Sequence, residues 1–273
     1  MAEIINCSAF AERKLEEVKD RLKGLGLAIV SIGDDSASKI YMRNKIALCE
    51  KYGVRCFCID KPGVDYHQMI EEVSSLNEHT QLDGVMIQLP TNVYFEKELI
   101  NTIAQSKDVD CLTYDNLGKV YTRDFYDIAP CTATGIVELL CQETELAGKN
   151  VTIIGRSQLV GLPLFKMLTN RNCTVTLCHS YTKNLGQHTK NADIVISAVG
   201  KQKLITADMV SQGQIVIGVG INRTENGVCG DVDFEKVAPI VKKITTVPNG
   251  IGKLTTAYLL LNLLKLKERT KQK

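Results

Sequence analysis

Two side chains that could take part in proton transfer and substrate binding lie one helical turn apart early in the sequence. Tyr41 and Lys45 are four positions apart in a stretch whose pattern predicts a helix over residues 38–53, so they share one face. Ser38 lies one turn earlier. The helix follows a strand-like run at 27–32 through the loop GDDSA. Its first turns are therefore expected near the carboxyl end of a sheet, where α/β proteins form their sites.

Two more polar residues are expected at the same edge of that sheet. Gln88 ends the strand-like run GVMIQL, and Asp110 follows another element within KDVDC. An amine, an amide, a phenol and a carboxylate would converge there, and of these groups only Lys45 could shuttle a proton as an amine. Taken singly, each residue has an ordinary explanation: a solvated lysine, a core tyrosine, or a cap of a strand end or turn. Their joint placement at strand ends favours a catalytic site.

The second half of the chain opens with a glycine-containing loop between a strand and a helix. The strand VTIIG runs into the loop from Gly155 to Gly161, and the helical pattern LPLFKMLTNR follows. Glycines there would allow a tight turn and a close backbone approach, with a pyrophosphate at the helix N-terminus. The loop is not a clean GxGxxG, and a glycine loop alone is a weak signal.

The next strand sharpens the prediction of a dinucleotide site. NAD-specific sites place an acidic residue at the end of that strand, where it binds the ribose 2′-hydroxyl. Here TVTLC ends in His179 and Ser180, with no acid, while Arg156 in the preceding loop could pair with a 2′-phosphate. A surface arginine would be the better explanation if Arg156 stood alone. The two observations together predict NADP as the cofactor.

The elements around these residues alternate between strands and helices almost throughout. Helical patterns such as 38–53 and 66–78 separate short apolar runs, which is the βαβ signature of parallel sheets covered by helices. The predicted strands are 27–32, 54–59, 84–89, 151–155, 174–178, 193–198 and 214–220. The fold class predicted is α/β.

The alternation breaks once, between Val109 and Lys149. The sequence there suggests turns at TYDNLGK and then a long helix from about Thr132 to Glu145, which we interpret as a connector between two α/β domains. We therefore predict an N-terminal α/β catalytic domain over 1–128 and a Rossmann-type NADP-binding domain over 129–255. A last helix, 256–273, is expected to pack back on the first domain, and the active site is expected in the cleft between the domains.

Composition excludes several classes of function. A hydrophobic fraction of 44%, a charged fraction of 23% and a net charge of +2 are those of an ordinary globular protein, with no nucleic-acid footprint. The start of the chain is charged and amphipathic, without the apolar stretch of a signal peptide. The longest apolar run, 258–266, is too short and interrupted to span a bilayer. We expect a soluble, intracellular protein with no membrane partner.

The cysteines do not form a recognisable disulfide or metal pattern. There are 10 of them, scattered and often within apolar runs, with no CxxC pair. Cys56 and Cys58 alternate along a predicted strand, so both are expected on one face, directed into a core. Cys178 next to His179 lacks the second pair of ligands that zinc would need. We predict buried free thiols in a reducing compartment and no metal.

Many ordered blocks of the sequence together resemble one family. The blocks are GDDSASKIYMRNK (33–45), DGVMIQLP (83–90), KDVD (107–110), PCTATG (130–135), GRSQLVGLP (155–163), TVTLCHSYT (174–182), VGINR (219–223), GDVDF (230–234) and VPNGIGKLT (247–255). Over nearly its whole length the chain resembles the bifunctional methylenetetrahydrofolate dehydrogenase/cyclohydrolase family. The resemblance implies NADP-dependent oxidation of 5,10-methylenetetrahydrofolate and hydrolysis of the methenyl product to 10-formyltetrahydrofolate. It also implies a cytoplasmic homodimer that serves one-carbon metabolism and purine biosynthesis.

The resemblance assigns roles to the candidate residues. It implies that Lys45 is catalytic, above all in the cyclohydrolase step, that Tyr41 stacks on the folate, and that Gln88 tunes the lysine. Asp110 would bind the pterin ring. Further substrate-binding candidates are Ser38, Gly250 and Thr255. The cofactor-binding candidates are Gly155, Arg156, Ser157, Val160, Gly161, His179, Ser180 and Ile221.

The chain departs from the family pattern at several positions. It has Cys111 where the family usually has the glycine of DVDG, Ala133 where PCTP has its last proline, and Gly218 where D-x-GIN has its aspartate. In the PGGVGPMT pattern it carries Asn249 and Lys253. None of these removes a residue assigned to chemistry, but they bear on cofactor affinity and on loop geometry.

Two alternatives to the bifunctional enzyme stay open at this stage. One is a family member that keeps only one of the two activities. The other is a non-catalytic folate- or nucleotide-binding paralogue. Retention of Tyr41, Lys45, Gln88 and Asp110 argues against the second, because a binding-only protein has no physical need for a buried lysine.

Overall fold

The computed structural model describes residues 1–33, 35–61, 63, 65–122, 127–225 and 227–271. Asp34, in the predicted loop before the lysine helix, lies outside the described residues, as do the side chains of Ser36, Ala37 and Arg223. The chain divides into two units, one of Arg13–Cys131 with Thr256–Lys273 and the other of Met1–Glu12 with Thr132–Thr255. We call them the Lys45 unit and the Gly155 unit.

The Lys45 unit is built on a small parallel sheet. Its strands are β2 (Gly26–Ile32), β3 (Arg55–Lys61) and β4 (Gly84–Gln88), in the order β3-β2-β4. Its helices are α2 (Lys19–Leu22), α3 (Ser36–Lys51), α4 (Tyr66–Glu78), α5 (Glu96–Thr102) and α6 (Tyr114–Thr122). Every residue of β2 and β4 is buried, as expected for parallel strands covered on both faces.

The Gly155 unit contains a larger parallel sheet and a hairpin. The sheet strands are β1 (Glu3–Ile4), β5 (Asn150–Ile154), β6 (Thr174–Cys178), β7 (Ile194–Ser197), β8 (Ile215–Gly218) and β11 (Lys243–Ile244). They are ordered β1-β11-β8-β7-β5-β6. Strands β9 (Ile221–Thr224) and β10 (Gly227–Gly230) pair antiparallel. The helices are α8 (Gly161–Thr169), α9 (Leu185–Lys190) and α10 (Phe234–Val237), with a 3-10 turn at Ala207–Met209.

Three helices have residues in both units. They are α1 (Cys7–Glu16), α7 (Cys131–Glu143) and α11 (Ile251–Lys271). The α7 helix, predicted as a connector, begins within a residue of the predicted start, and all of it except Cys131 belongs to the Gly155 unit. In the part of the chain that the structure describes, no helix combines the length and apolar character needed to cross a bilayer.

The α/β prediction is confirmed, and each strand predicted from the apolar runs is present. Two local predictions are wrong. TYDNLGK, interpreted as turns, forms most of α6, because Leu117 and Val120 lie on one face of a helix and are buried there. Met1–Glu12, assigned to the first domain by the sequence, belong with the Gly155 unit, because β1 pairs with β11.

The prediction that the cysteines are buried is only partly right. All are free among the described residues, but Cys58 and Cys141 are exposed. Cys56 and Cys58 do share a face, with their sulfurs 3.7 Å apart. Cys56 is half-buried against the buried Cys49 of α3, whereas Cys58 is exposed. The alternation therefore predicted the shared face correctly, and the predicted burial holds for Cys56 but not for Cys58.

Candidate active site

The helix α3 brings the candidate lysine to the carboxyl edge of the small sheet. It starts four residues after β2 ends, and the carboxylate of Asp35 caps it by accepting the Ser38 backbone N–H at 2.7 Å. Ser38, Tyr41 and Lys45 follow at intervals of three and four, so they lie along one helix face. The site prediction for this face is thus geometrically consistent.

Lys45 is buried and hydrogen-bonded to the predicted glutamine. Only 8% of Lys45 and 6% of Gln88 is exposed, and Lys45 Nζ donates to Gln88 Oε1 at 2.9 Å. The register of β2 and β4 pairs Ser31 with Gln88, which places the amide at the last position of its strand. Gln88 Nε2 donates to the Leu89 carbonyl at 2.9 Å. This second bond holds the amide so that its oxygen faces the lysine.

Burial changes the protonation of both ionisable groups in this cluster. It lowers the pKa of the Lys45 ammonium, and the nearby charge of Asp110 opposes that shift without cancelling it. Burial likewise raises the pKa of Asp110, against the opposing charge of Lys45 and a hydrogen bond from Cys131. Burial thus disfavours the charged form of each side chain relative to water. Two groups whose pKa values are shifted in this way can exchange protons with a bound substrate more easily than the free side chains can.

The turn that carries Asp110 is fixed by the buried carboxylate of Asp108. That carboxylate accepts the backbone N–H groups of Leu112 at 3.1 Å and Thr113 at 2.9 Å, and the Thr113 hydroxyl at 2.7 Å. Asn116 Nδ2 donates to it as well, at 3.0 Å. The carboxylate therefore holds the turn from several directions, and Asp110 lies within it.

A residue of the last helix supports the same turn. Asn262 is fully buried, and its Nδ2 donates to the carbonyls of Val109 at 2.9 Å and Ala129 at 3.0 Å. The neighbouring Cys131 Sγ lies 3.5 Å from the Val109 carbonyl oxygen. Burial raises the pKa of this thiol well above its usual value, so it stays a neutral donor beside Asp110. Neither Asn262 nor Cys131 was a candidate from the sequence.

Ser38 differs from its neighbours in having an unused hydrogen-bonding group. Its side chain is 5% exposed, and its hydroxyl has no hydrogen-bond partner within the described ranges of the chain. An unsatisfied buried hydroxyl costs free energy unless a ligand or water completes it. Tyr41, one turn further along, is half-buried.

The glycine loop of the other unit is shaped for a close backbone approach. Gly155 follows β5 with φ +114°, and a Cβ there would lie 2.5 Å from the Ala198 carbonyl oxygen. A Cβ on Gly161 would lie 1.9 Å from the Gly155 carbonyl oxygen. Neither position can hold another residue without moving backbone. Gly155 and Gly161 therefore allow β5 to turn tightly into α8.

Exposed polar groups surround this loop. Arg156 and Ser157 are exposed and Val160 is half-buried. The Ser157 hydroxyl accepts the Val160 backbone N–H at 3.2 Å, just before α8 begins. The order β6-β5-β7 makes β5 the strand at which the chain changes direction across the sheet. This is the position at which α/β sheets bind nucleotides.

The segment after β6 presents no carboxylate before the next helix. His179 Nδ1 accepts the Tyr181 backbone N–H at 3.2 Å, and the His179 backbone N–H donates to Thr182 Oγ1 at 2.9 Å. Ser180 is exposed. The adjacent pairing of β5 and β6 brings these residues next to the glycine loop. The grouping of Arg156 and Ser180 that the sequence predicted is consistent with this topology.

The remaining candidates lie near the end of the Gly155 unit. Ile221 is the first residue of β9 and is partly exposed. Gly250 is buried, and a Cβ there would lie 2.0 Å from the Thr246 carbonyl oxygen. Thr255 Oγ1 lies 2.9 Å from Thr132 Oγ1. Gly250 is closely packed against backbone, and Thr255 contacts a side chain of its own unit. The part of these candidates in ligand binding stays a prediction.

Comparison with known proteins decides the family. Residues 5–110 match the catalytic domain, and residues 130–271 the NAD(P)-binding domain, of the tetrahydrofolate dehydrogenase/cyclohydrolase family. The chain belongs to that family. It is 39% identical over 281 residues to the bifunctional protein FolD of Bacillus cytotoxicus, covering 98% of each chain.

Solved structures of the family agree with this fold. The bifunctional FolD enzyme of Campylobacter jejuni has a TM-score of 0.94 at 34% identity, over 98% of this chain and 100% of that one. The Trypanosoma brucei methylenetetrahydrofolate dehydrogenase-cyclohydrolase, complexed with NADP and an inhibitor, has a TM-score of 0.94 at 30% identity. That match covers 100% of this chain and 99% of the other.

The Gly155 unit of this tetrahydrofolate dehydrogenase/cyclohydrolase fits a dinucleotide. Gly155 and Gly161 leave room that a Cβ would fill, and the exposed guanidinium of Arg156 stands beside them. These are the features that a pyrophosphate and a 2′-phosphate require. At the Gly218 departure, a Cβ would lie 3.3 Å from Val232 Cγ2, so a side chain there would require Val232 to shift. The backbone N–H of Gly218 donates to Thr245 Oγ1 at 2.9 Å.

One buried acid of this family member was missed by the sequence reasoning. Asp231 is fully buried in the Gly155 unit, and its carboxylate accepts hydrogen bonds from the loop after β7. It stands in the GDVDF block beside Asp233, and residue type does not distinguish the two acids. Its partners are mostly backbone N–H groups, which leave no signature in residue types.

Proposed function

We propose that this chain oxidises 5,10-methylenetetrahydrofolate with NADP and then hydrolyses 5,10-methenyltetrahydrofolate to 10-formyltetrahydrofolate. The observation that carries the proposal is the buried Lys45–Gln88 pair beside Asp110, in a chain that also holds a glycine-turn nucleotide site. The Bacillus cytotoxicus relative is named as bifunctional, and the Trypanosoma brucei structure holds NADP.

In the first step, the protein mainly orients the two ligands. NADP, when bound, supplies the acceptor for the hydride that leaves the one-carbon bridge. Arg156 and Ser180 hold the adenosine phosphates, and the Gly155 turn allows the pyrophosphate to approach the backbone. Tyr41 stacks on the folate, and Asp110 accepts hydrogen bonds from the amide edge of the pterin. Fixed orientation of this kind can supply much of the rate enhancement.

In the second step, water adds to the methenyl carbon and the bond from that carbon to N5 breaks; one proton of the water passes to N5 and the other must leave. Lys45 accepts that proton as a neutral amine, which its lowered pKa makes available nearer to neutral pH than a free lysine would be. Gln88 Oε1 holds the amine in position, because its own amide nitrogen is bonded to the Leu89 carbonyl. The positive charge of the bound methenyl folate would lower the pKa of Lys45 further.

Ser38 gives the substrate one further contact. Its buried hydroxyl, without a partner among the described residues, lies on the same helix face as Tyr41 and Lys45. We assign it to hydrogen-bond the bound folate, directly or through a water molecule. Gly250 and Thr255 are assigned to the substrate from the family resemblance alone.

We also propose that the protein is a cytoplasmic homodimer, as the family resemblance implies. Light scattering on the eluting peak of a size-exclusion column would give the mass directly. A mass of two chains supports the dimer, and a mass of one chain at micromolar concentration refutes it.

The coupled absorbance assay tests the proposed function as a whole. The protein is mixed with methylenetetrahydrofolate and NADP, and the bands of reduced nicotinamide and of methenyl folate are recorded together. Reduced nicotinamide should accumulate while the methenyl band stays low or decays. A methenyl band that accumulates in step with reduced nicotinamide would indicate a dehydrogenase alone. No change in either band would indicate a cyclohydrolase alone, if added methenyl folate is still hydrolysed, or otherwise a binding-only paralogue.

A further inference from the structure

Asp231 is a buried acid whose bonds are unusual in number and arrangement. It is 0% exposed, and Ser197 Oγ donates to its carboxylate at 3.0 Å. The backbone N–H groups of Val199, Gly200 and Lys201 donate to it at 2.9, 3.3 and 3.0 Å. Burying a carboxylate is costly unless its oxygens are satisfied, and here donors converge on both oxygens.

Three of these donors are consecutive residues of one loop. The loop Val199–Lys201 follows β7, with Gly200 at φ +64°. Successive backbone N–H groups that converge on a single anion form the arrangement with which proteins bind phosphate groups. Asp231 occupies that position from inside the protein. The N–H groups of this loop are therefore already used and do not bind a cofactor phosphate.

The loop is one wall of the nucleotide site. Strand β7 is the neighbour of β5 on the side opposite to β6. A Cβ built on Gly155 would lie 2.5 Å from the Ala198 carbonyl oxygen and 3.2 Å from Val199 Cγ1. The loop thus packs directly on the glycine turn. The side chain of Val199 is 39% exposed on it.

The hairpin side also contacts the Asp231 carboxylate closely. A Cβ on Gly220 would lie 2.1 Å from Asp231 Oδ1, so only glycine fits beside the carboxylate. Asn222 Nδ2 donates to Oδ1 at 3.3 Å. The carboxylate therefore links the start of the β9–β10 hairpin to the loop after β7.

We propose that Asp231 is a positioning residue for NADP, which fixes the Val199–Lys201 loop against the Gly155 turn and so sets the affinity for the cofactor. The inference rests on the proposed function, since it assigns a positioning residue to the nucleotide site of that function. It predicts a defect confined to the NADP-dependent step. A role in folding alone would instead weaken both activities together, because the same molecules carry them.

The test compares Asp231→Asn with the matched control Asp233→Asn. Asp233 is also buried and lies two residues away, but it pairs with Lys203 and Lys236 and not with the loop. An asparagine at 231 keeps the shape, yet its amide nitrogen cannot accept the loop N–H groups. We expect the KM for NADP to rise at least about tenfold, which corresponds to about 1.4 kcal/mol. Hydrolysis of added methenyl folate, which needs no NADP, should stay within about twofold of wild type.

The control should change neither the KM for NADP nor hydrolysis by more than about twofold. The inference is overturned if Asp231→Asn leaves the KM for NADP within twofold of wild type, or if both of its activities fall in parallel. If that variant does not fold, Ser197→Ala removes a single donor and should raise the same KM by a smaller factor, with hydrolysis kept; an unchanged KM again overturns the inference. Failure of the proposed function is seen separately, as a wild-type protein that does not reduce NADP.

Discussion

At the scale of single residues, the chemical groups of Lys45 and Asp110 were predictable, whereas the raised pKa of Asp110 was not. The helix spacing and strand ends predicted that the lysine, the glutamine and the acid would meet. The opposed pKa shifts follow from burial, and Cys131, which comes from a different element, hydrogen-bonds Asp110. Residue types alone give no measure of that burial.

Asp110→Asn should move the pH dependence of hydrolysis in a definite direction. The rate rises with pH as Lys45 loses its proton, because only the neutral amine accepts one. The Asp110 charge raises the lysine pKa, and it is opposed by the larger effect of burial. Without that charge the pKa falls further, so the acid limb of the kcat profile should shift to lower pH. An acid limb that stays in place, or moves to higher pH, would contradict the electrostatic interaction between Asp110 and Lys45.

The same variant should also bind folate less well. A carboxylate that accepts hydrogen bonds from the pterin contributes about 1.5–3 kcal/mol, and an amide replaces only part of this. The KM for folate should therefore rise, with a loss of turnover as the reacting carbon loses its register. An unchanged kcat/KM in Asp110→Asn would show that Asp110 only caps its turn.

Arg156→Ala should weaken the preference for NADP over NAD without abolishing turnover. The guanidinium is exposed, so its contact with a 2′-phosphate is partly screened by water, and the preference should fall about tenfold. Arg171→Ala is the matched control, because this exposed arginine follows α8 at the end away from the glycine loop. Kinetics with both cofactors measure the ratio. A wild-type protein that binds NAD more tightly would refute the assignment of NADP.

At the scale of elements, strong periodic signals were predictable and weak ones were not. The buried parallel strands have long apolar runs, and each was found within a few residues of its predicted bounds. Strand β1 has two residues and α6 contains glycine, asparagine and aspartate, so neither gives a clear period. The α6 helix is stabilised by the packing of Leu117 and Val120 and by hydrogen bonds to the Asp108 carboxylate. Both are tertiary contacts, which helix propensity does not capture.

The loop before α11 shows why a departure from the family pattern can be tolerated. Asn249 has φ +67°, the left-handed region that asparagine tolerates better than most residues, so the backbone path does not require glycine there. Lys253 is exposed, and its backbone N–H donates to the Gly250 carbonyl at 3.1 Å, a bond that proline could not make.

The double variant Asn249→Gly with Lys253→Pro should therefore change binding more than chemistry. It removes one exposed positive charge, which contributes about 1 kcal/mol or less to binding an anionic ligand, so KM values should change by up to about fivefold. Both activities should persist with kcat within about twofold of wild type. Steady-state kinetics decide the point. A large rise in kcat would mean that the natural loop impairs catalysis, and would favour the member with a single activity.

At the scale of the whole molecule, the alternation of strands and helices was enough to predict two α/β units. The sequence did not predict that Met1–Glu12 join the second unit, since a two-residue strand gives no pattern to read. It also gave no indication of Asp231, whose partners are backbone groups brought together only by the fold. Folding creates such sites, and their residue types alone do not reveal them.

The central claim is that Lys45 is the proton acceptor of the cyclohydrolase, and Lys45→Met tests it most directly. The matched control is Lys51→Met, an exposed lysine on the same helix. Hydrolysis of methenyl folate should fall at least about 100-fold in Lys45→Met, the usual contribution of a positioned acid–base group, while folate binding is largely kept. Lys51→Met should hydrolyse at the wild-type rate. If Lys45→Met also hydrolyses methenyl folate at the wild-type rate, the assignment of Lys45, and the mechanism built on it, is wrong.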